Sequence, residues 1–312
     1  MNVYKFLSTV VIALTSFTGV TTFADEIEPS EGGIIGTGIM GTIIKLGSIY
    51  VNGQHIEFKR GLEVSSALGP RRTTNLVPGE TVIVSATLQK GVWQAEHIDL
   101  YQPIIGPVTK ISESGLTVMG SNITLSGDQA VLGTHTTAPL KIGDWIAVSG
   151  LWRDNHIVAS RVERVGQQSS AWVVGSYSLH DDGSHYVGNT KITGISPRHA
   201  KNGDALIVKG TAIKNTIEAS SIAIGLFKTT IGATIVEGYL SQPDISGLYT
   251  VLGSGMTAFV EDKEMSINSN RGIFCATPGG KINRITSLQE ELFSPHLSGA
   301  IDLSVAGQTC GE

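Results

Sequence analysis

An internal repeat, kept in register three times, limits this chain more than any other feature. The segments Gly79-Glu80-Thr81-Val82-Ile83-Val84, Gly143-Asp144-Trp145-Ile146-Ala147-Val148 and Gly203-Asp204-Ala205-Leu206-Ile207-Val208 share a glycine, an acid and an alternating apolar run. Fourteen residues beyond each glycine comes a second motif: Trp93-Gln94-Ala95-Glu96-His97-Ile98, Ile157-Val158-Ala159-Ser160-Arg161-Val162 and Ile217-Glu218-Ala219-Ser220-Ser221-Ile222. The first two copies lie 64 residues apart in both motifs, and the second and third 60 apart. Two motifs that hold a common spacing mark a repeated structural unit.

The unit reads as β-structure. Period-two alternation places Val82/Val84, Ile146/Val148 and Leu206/Val208 on one face of a strand. Between the motifs, Lys90-Gly91, Asp154-Asn155 and Lys214-Asn215 supply the residues of a tight hairpin. In the second motif the bulky residue and the Ala share a face, while the next apolar residue falls three positions on. Either a bulge re-aims the strand there or the strand end is apolar on both sides.

A further strand pair, opened by Gly41, Gly106 or Gly175, precedes each hairpin, and a fourth, degenerate copy starts at Gly238. The opening glycines are 65, 69 and 63 residues apart. Two hairpins plus one short strand, such as His55-Ile56-Glu57-Phe58, can close as a five-stranded barrel of the oligonucleotide/oligosaccharide-binding (OB) type, which removes the free edges. The expected fold is therefore all-β, with tandem small OB-like five-stranded barrels of about 65 residues. The expected divisions are a signal peptide at 1–24, a Gly-rich linker at 25–38, barrels at 39–104, 105–170 and 171–229, and a degenerate fourth repeat with a C-terminal tail at 230–312. Helical patterning is confined to Gly61 to Leu68 and Ser287 to Leu292. Units this small bury thin cores, so neighbours are expected to stack on one another.

The Gly-rich lead Gly32-Gly33-Ile34-Ile35-Gly36-Thr37-Gly38, followed by repeats of the form G-x-V-x-x-I, G-x-x-V-x-G, G-[DE]-x-[VI]-x-V-x-G and [IW]-x-A-x-x-[VI], resembles the bacterial exported family called domain of unknown function 5666 (DUF5666). The resemblance covers about residues 32 to 227 and extends weakly over 230 to 312. It implies tandem OB-like barrels and carries over no catalytic residue. The chain departs from the pattern at Ser85-Ala86, where a glycine is missing, and throughout the fourth copy.

Met1 to Ala24 carries one cation (Lys5), an apolar stretch from Phe6 to Val20 and small residues at Thr22 and Ala24, the layout of a secretory signal. An exported chain, periplasmic or extracellular, with no membrane span after signal removal is expected. In that oxidising setting Cys275 and Cys310, the two cysteines of the chain, are expected to pair and close a loop of about 35 residues. The formal net charge of -5, from 22 basic against 27 acidic residues, argues against binding nucleic acid through phosphate neutralisation.

Gly36-Thr37-Gly38-Ile39-Met40-Gly41 fits the dinucleotide fingerprint GxGxxG in letters but precedes a strand instead of opening a helix. His180, Asp182 and His185 form the densest group of possible metal ligands, and Asp182-Gly183 reads equally as a hairpin turn. The other histidines (55, 97, 135, 156, 199 and 296) stand alone. Trp93, Trp145, Trp152 and Trp172, with Tyr50, Tyr101 and Tyr177, are either platforms for stacking ligands or core. Arg71 and Arg72 could add a small anion contact. No cofactor and no catalytic residue is indicated. The expectation is a non-catalytic binding or assembly module of the cell envelope with a protein or glycan partner. The rival is a metal-binding or hydrolytic enzyme using the loop from His180 to His185.

Overall fold

The computed structural model describes residues 36–125, 131–132, 139–227, 231–260, 270–277 and 279–287. The proposed signal peptide and most of the linker lie outside them. Gly36 to Gly38, assigned to the linker from sequence, already belong to the first strand.

The first unit contains β1 (Gly36–Leu46), β2 (Ile49–Val51), β3 (Gln54–Phe58), the short pair β4 (Glu63–Ser65) and β5 (Arg71–Arg72), then β6 (Thr81–Gln89) and β7 (Val92–Leu100). Pairing runs β1–β2, β2–β3, β3–β7 in parallel, β7–β6 and β6–β1, which closes a five-stranded ring. This is the OB order, with the third and fifth strands parallel. Gly61 to Leu68 form turns and β4, and the described residues contain no α-helix, only a 3-10 turn at Thr73–Asn75.

The second unit contains β8 (Ile104–Ser112), β9 (Gly115–Val118), β10 (Ser121–Leu125), the two-residue β11 (Val131–Leu132), β12 (Trp145–Arg153) and β13 (His156–Val165). The third contains β14 (Ala171–Leu179), β15 (His185–Val187), β16 (Thr190–Gly194), β17 (Ala205–Ile213) and β18 (Thr216–Ile224). Both close by the same five pairings as the first. The fourth contains β19 (Ile231–Gly238), β20 (Tyr249–Val251), β21 (Met256–Ala258), β22 (Gly272–Ala276) and β23 (Asn283–Ser287). Here β19–β22, β22–β23 and β20–β21 are ladders, while single bridges, Leu240 to Val251 and the parallel Val260 to Ile282, stand for the remaining two pairings. The degenerate copy thus retains every connection of the ring in reduced form.

Both repeated motifs have physical causes. Gly79, Gly143 and Gly203 take φ of 88, 94 and 93°, where a side chain is strained. Their N–H groups donate to Ile43, Val108 and Tyr177 carbonyls at 2.8, 2.8 and 2.9 Å. The following acid accepts the N–H three residues earlier: Val77 to Glu80 at 2.9 Å, Lys141 to Asp144 at 2.9 Å and Lys201 to Asp204 at 2.7 Å. The motif is a capped turn that delivers the chain into the fourth strand of each barrel. In the second motif the ladder slips between Ser85/Ala86, Ser149/Gly150 and Lys209/Gly210, so Glu96, Ser160 and Ser220 are each left unopposed. That bulge is the first of the two alternatives left open by the sequence. It turns Trp93, Ala95 and Ile98, and likewise Ile157, Ala159 and Val162, toward the interior, all 8% exposed or less. Ala86 replaces the missing glycine without loss of the bulge.

The barrels do not form a linear stack. β1 pairs in parallel with β19, so the fourth unit returns to the first. Trp172 and Val173 of β14 pair with Ile105 and Ile104 of β8, joining the second and third. Alternate residues of one strand therefore feed different cores: Ile39, Val82, Ile235 and Ile273 enter the first barrel's cluster, while Met40, Ile83, Val236 and Phe274 enter the cluster shared by the other three. Four units meet where Trp152 Nε1 donates to the Val174 carbonyl (2.7 Å), the Tyr101 hydroxyl donates to the Gly253 carbonyl (3.2 Å) and Gly253 N–H donates to Ser176 Oγ (2.8 Å).

The seam between first and fourth units is sealed by a buried carboxylate. Glu237 Oε2 accepts the Thr42 N–H at 2.7 Å, and Oε1 accepts from Arg271, both side chains being 3% exposed. Asn52, in the β2–β3 turn, donates to the Met40 carbonyl at 2.8 Å. A Cβ at Gly41 would lie 2.0 Å from Asn52 Oδ1 and 2.9 Å from Glu237 Oε2, so only glycine fits there. This packing accounts for the fingerprint-like glycines, which lie within a strand. Removing one partner of a buried pair costs about 3 to 5 kcal/mol. Glu237→Ala is expected to lose that much in urea unfolding, and Glu237→Leu combined with Arg271→Leu to lose clearly less.

Candidate functional site

Trp93 and Trp152 are 3% and 2% exposed and belong to the cores. Trp93 Nε1 donates to Gln54 Oε1 at 3.0 Å. Trp145 and Trp172 are half-buried; Lys209 Nζ stands 5.3 Å over the Trp172 ring. No indole among the four stands as an open platform. Tyr101 is fully buried, and its desolvation raises the phenol pKa far above the usual tyrosine range. Arg71 donates to Glu80 Oε1 at 2.7 Å and to the Asn75 carbonyl, so it braces the capped turn, whereas Arg72 is exposed on β5.

His180, Asp182 and His185 do not converge. The His180 ring stacks on Tyr186 with centroids 4.3 Å apart. Nδ1 of His185 lies 2.8 Å from the Tyr177 hydroxyl. Asp182 accepts from Ser184 N–H at 2.9 Å and from its hydroxyl at 3.1 Å. Gly183 N–H donates to the His180 carbonyl at 2.9 Å, closing a turn. Among the described residues no three His, Cys, Asp or Glu side chains are grouped to hold a metal ion, so the segment reads as a hairpin turn. Cys275 is disulfide-bonded and 6% exposed; Cys310 lies outside the described residues.

What the barrels do present is an outer row across their first three strands. Each row is fixed by register: Lys45, Tyr50 and His55 in the first barrel, Lys110, Thr117 and Asn122 in the second, Ser178, Tyr186 and Lys191 in the third. Tyr50 and His55 stack with centroids 4.7 Å apart and planes 12° apart, with Lys45 Nζ 5.3 Å over the Tyr50 ring. In the second barrel the row opens into a cleft of about 370 Å³ that reaches His156 at the start of β13. Thr117 Oγ1 donates to Asn122 Oδ1 at 3.1 Å, and Thr124 Oγ1 to the Ile157 carbonyl at 3.3 Å. Burial, then the nearby Arg153, lowers the His156 pKa, so its imidazole is neutral at neutral pH. A second, larger cleft of about 610 Å³ lies between the third and fourth units, lined by Leu226, Phe227, Val236 and Met256 among others.

Sequence reasoning singled out Tyr50 but not Lys45, Lys110, Asn122, His156 or Lys191 as members of a face. The available signal was positional: these residues fall on the outward parity of the repeat, opposite the apolar residues that define it.

Together these features define a protein of repeated OB-type barrels with Trp93, Tyr101 and Trp152 internal and polar rows on the outer faces of the first three barrels. Residues 105–163, which coincide with the second barrel, match the family model described as domain of unknown function (DUF5666). No curated protein and no solved structure matches the chain. No helix of the described residues is long and apolar enough to cross a membrane.

Hydrogen bonds from the Ser184 backbone and hydroxyl hold the Asp182 carboxyl below the usual aspartate range. A depressed carboxyl contributes to stability above its unfolded pKa, and that contribution is lost as pH falls through the folded value. Ser184→Ala is expected to move the Asp182 titration upward in an NMR pH series, by removing the hydroxyl donor alone.

Proposed function

We propose that this protein is a non-catalytic, exported module of the cell envelope that binds or assembles a glycan or protein partner. The observation that supports this reading best is the open outer row repeated on three barrels. It recurs in register and offers hydrogen-bonding and cationic groups, with no grouped metal ligands among the described residues. Barrels of this type bind chain-like ligands across the second and third strands, which is where the row lies. A repeated face on a rigid scaffold suits a repeating partner, since several weak contacts combine without new chemistry.

The test is capture from envelope extract with the chain 25–312, beside a variant carrying Tyr50→Ala, Lys110→Ala and Lys191→Ala. These substitutions lie on outer faces and are expected to leave thermal unfolding unchanged. A protein or glycan retained by the first chain and lost by the variant is the expected result. Equal capture by both would place binding elsewhere. Export makes a separate expectation: the protein recovered outside the cytoplasm has a mass beginning at Asp25, as read by intact mass spectrometry.

A further inference from the structure

The cleft on the second barrel can be read for the chemistry of its occupant. It crosses β8, β9 and β10 and ends at His156, and its one charged lining residue is Lys110. No carboxylate lines it, and Glu113, at the tip of the β8–β9 turn, is not part of the lining. The remaining polar residues are hydroxyls and an amide: Ser112, Ser114, Thr117, Asn122 and Thr124. The Thr117 hydroxyl occupies Asn122 Oδ1, which leaves the Asn122 amide hydrogens as donors toward solvent. The Thr124 hydroxyl gives its proton to the Ile157 carbonyl and so offers acceptor lone pairs.

A surface of one ammonium amid short donors and acceptors suits a polyhydroxylated chain that carries a carboxylate. It does not suit single-stranded nucleic acid, which is held by base stacking on aromatic rings, because no Phe, Tyr or Trp lines this cleft. A chain of formal charge -5 with one lysine per face also gives little of the phosphate neutralisation that a polyphosphate needs. Neutral polysaccharide would leave Lys110 without a counter-charge. The rows of the first and third barrels each carry a lysine too, Lys45 and Lys191, beside Tyr50 and Tyr186.

We propose that the outer face of the second barrel binds a carboxylate-bearing polysaccharide of the polyuronate type, with Lys110 facing the uronate carboxylate and Asn122, Thr124 and His156 meeting the sugar hydroxyls. This rests on the binding-module reading above and names its ligand class. The lysines of the other two barrels extend the interaction to polymer long enough to reach a second face.

The experiment is isothermal titration of the chain 25–312 with polygalacturonate, dextran and oligothymidylate at physiological salt. Polygalacturonate is expected to bind, with neither dextran nor oligothymidylate doing so. Lys110→Glu is expected to weaken polygalacturonate by about tenfold or more, since an attractive charge becomes a repulsive one. Asn122→Ala, which keeps every charge, is expected to weaken it less. Both positions are exposed, so the thermal midpoint serves as the control for folding. Absence of polygalacturonate binding, equal binding of dextran or oligothymidylate, or full binding by Lys110→Glu would each overturn the proposal. If polygalacturonate fails while extract capture retains another partner by the outer rows, the ligand class is wrong and the module reading stands. If both fail, both fall.

Discussion

Glu237 is a carboxylate shut away from water, and such a group stays in a fold only where donors replace its hydration. It has a backbone N–H from Thr42 and the guanidinium of Arg271, while Asn52 fills the space beside Gly41. Each of these groups comes from a different strand or turn, so the carboxylate is satisfied in one arrangement of the first and fourth units. A slip of β19 along β1 by one residue would turn its alternate side chains to the wrong cores, and would also carry Glu237 away from Thr42. The seam therefore sets the position of the fourth barrel, and with it the closed arrangement in which first and last units touch. Linear repeat proteins, whose units meet only their neighbours, have no equivalent constraint.

Much of the architecture was legible because its causes are local. The glycine-acid motif is a capped turn, the Ala-x-x-apolar spacing is a bulge, and the opening glycine Gly41 gives β1 room against the β2–β3 turn. Each leaves a fixed mark in sequence. What could not be read was the long-range part. Glu237 and Thr42 are 195 residues apart, and neither Glu237 nor Arg271 belongs to any local pattern. Stacking of units was expected, and closure of the set was not, because the parallel pairing of β1 with β19 is written only as apolar residues on both faces of each strand. The fourth ring looked degenerate because two of its five pairings have shrunk to single bridges.

The site was harder to read than the fold for a related reason. Core positions announce themselves by hydrophobic alternation, and the tryptophans that suggested a stacking surface are, at Trp93 and Trp152, part of that alternation. Outward positions carry no shared residue type. Lysine, tyrosine, histidine, threonine and asparagine become one face only when the register of three strands is known. Tyr50 was visible as an aromatic residue, but its stacking on His55 depends on the β2–β3 pairing. The GxGxxG string and the His180 to His185 loop illustrate the converse, a short pattern with the right letters and a different physical cause.

The fourth barrel offers an internal comparison for the reading of these faces. By register its row is Ser241, Thr250 and Thr257. Thr250 and Thr257 bond to each other through their hydroxyls at 2.8 Å, and the Gly203 turn of the third barrel packs directly over them. Where the row is covered by a neighbouring barrel its members are small hydroxyl residues that satisfy one another. Where it faces solvent each row carries one lysine, with a tyrosine beside it in the first and third barrels and the small polar Thr117 and Asn122 in the second. Packing between barrels imposes the first choice, because a lysine or tyrosine at Thr250 would collide with the Gly203 turn. No such contact imposes the second at Lys45, Tyr50, Lys110 or Lys191. The fourth barrel therefore keeps the ring but gives up the lysine that each open row carries, because its row is spent on contact with the third barrel.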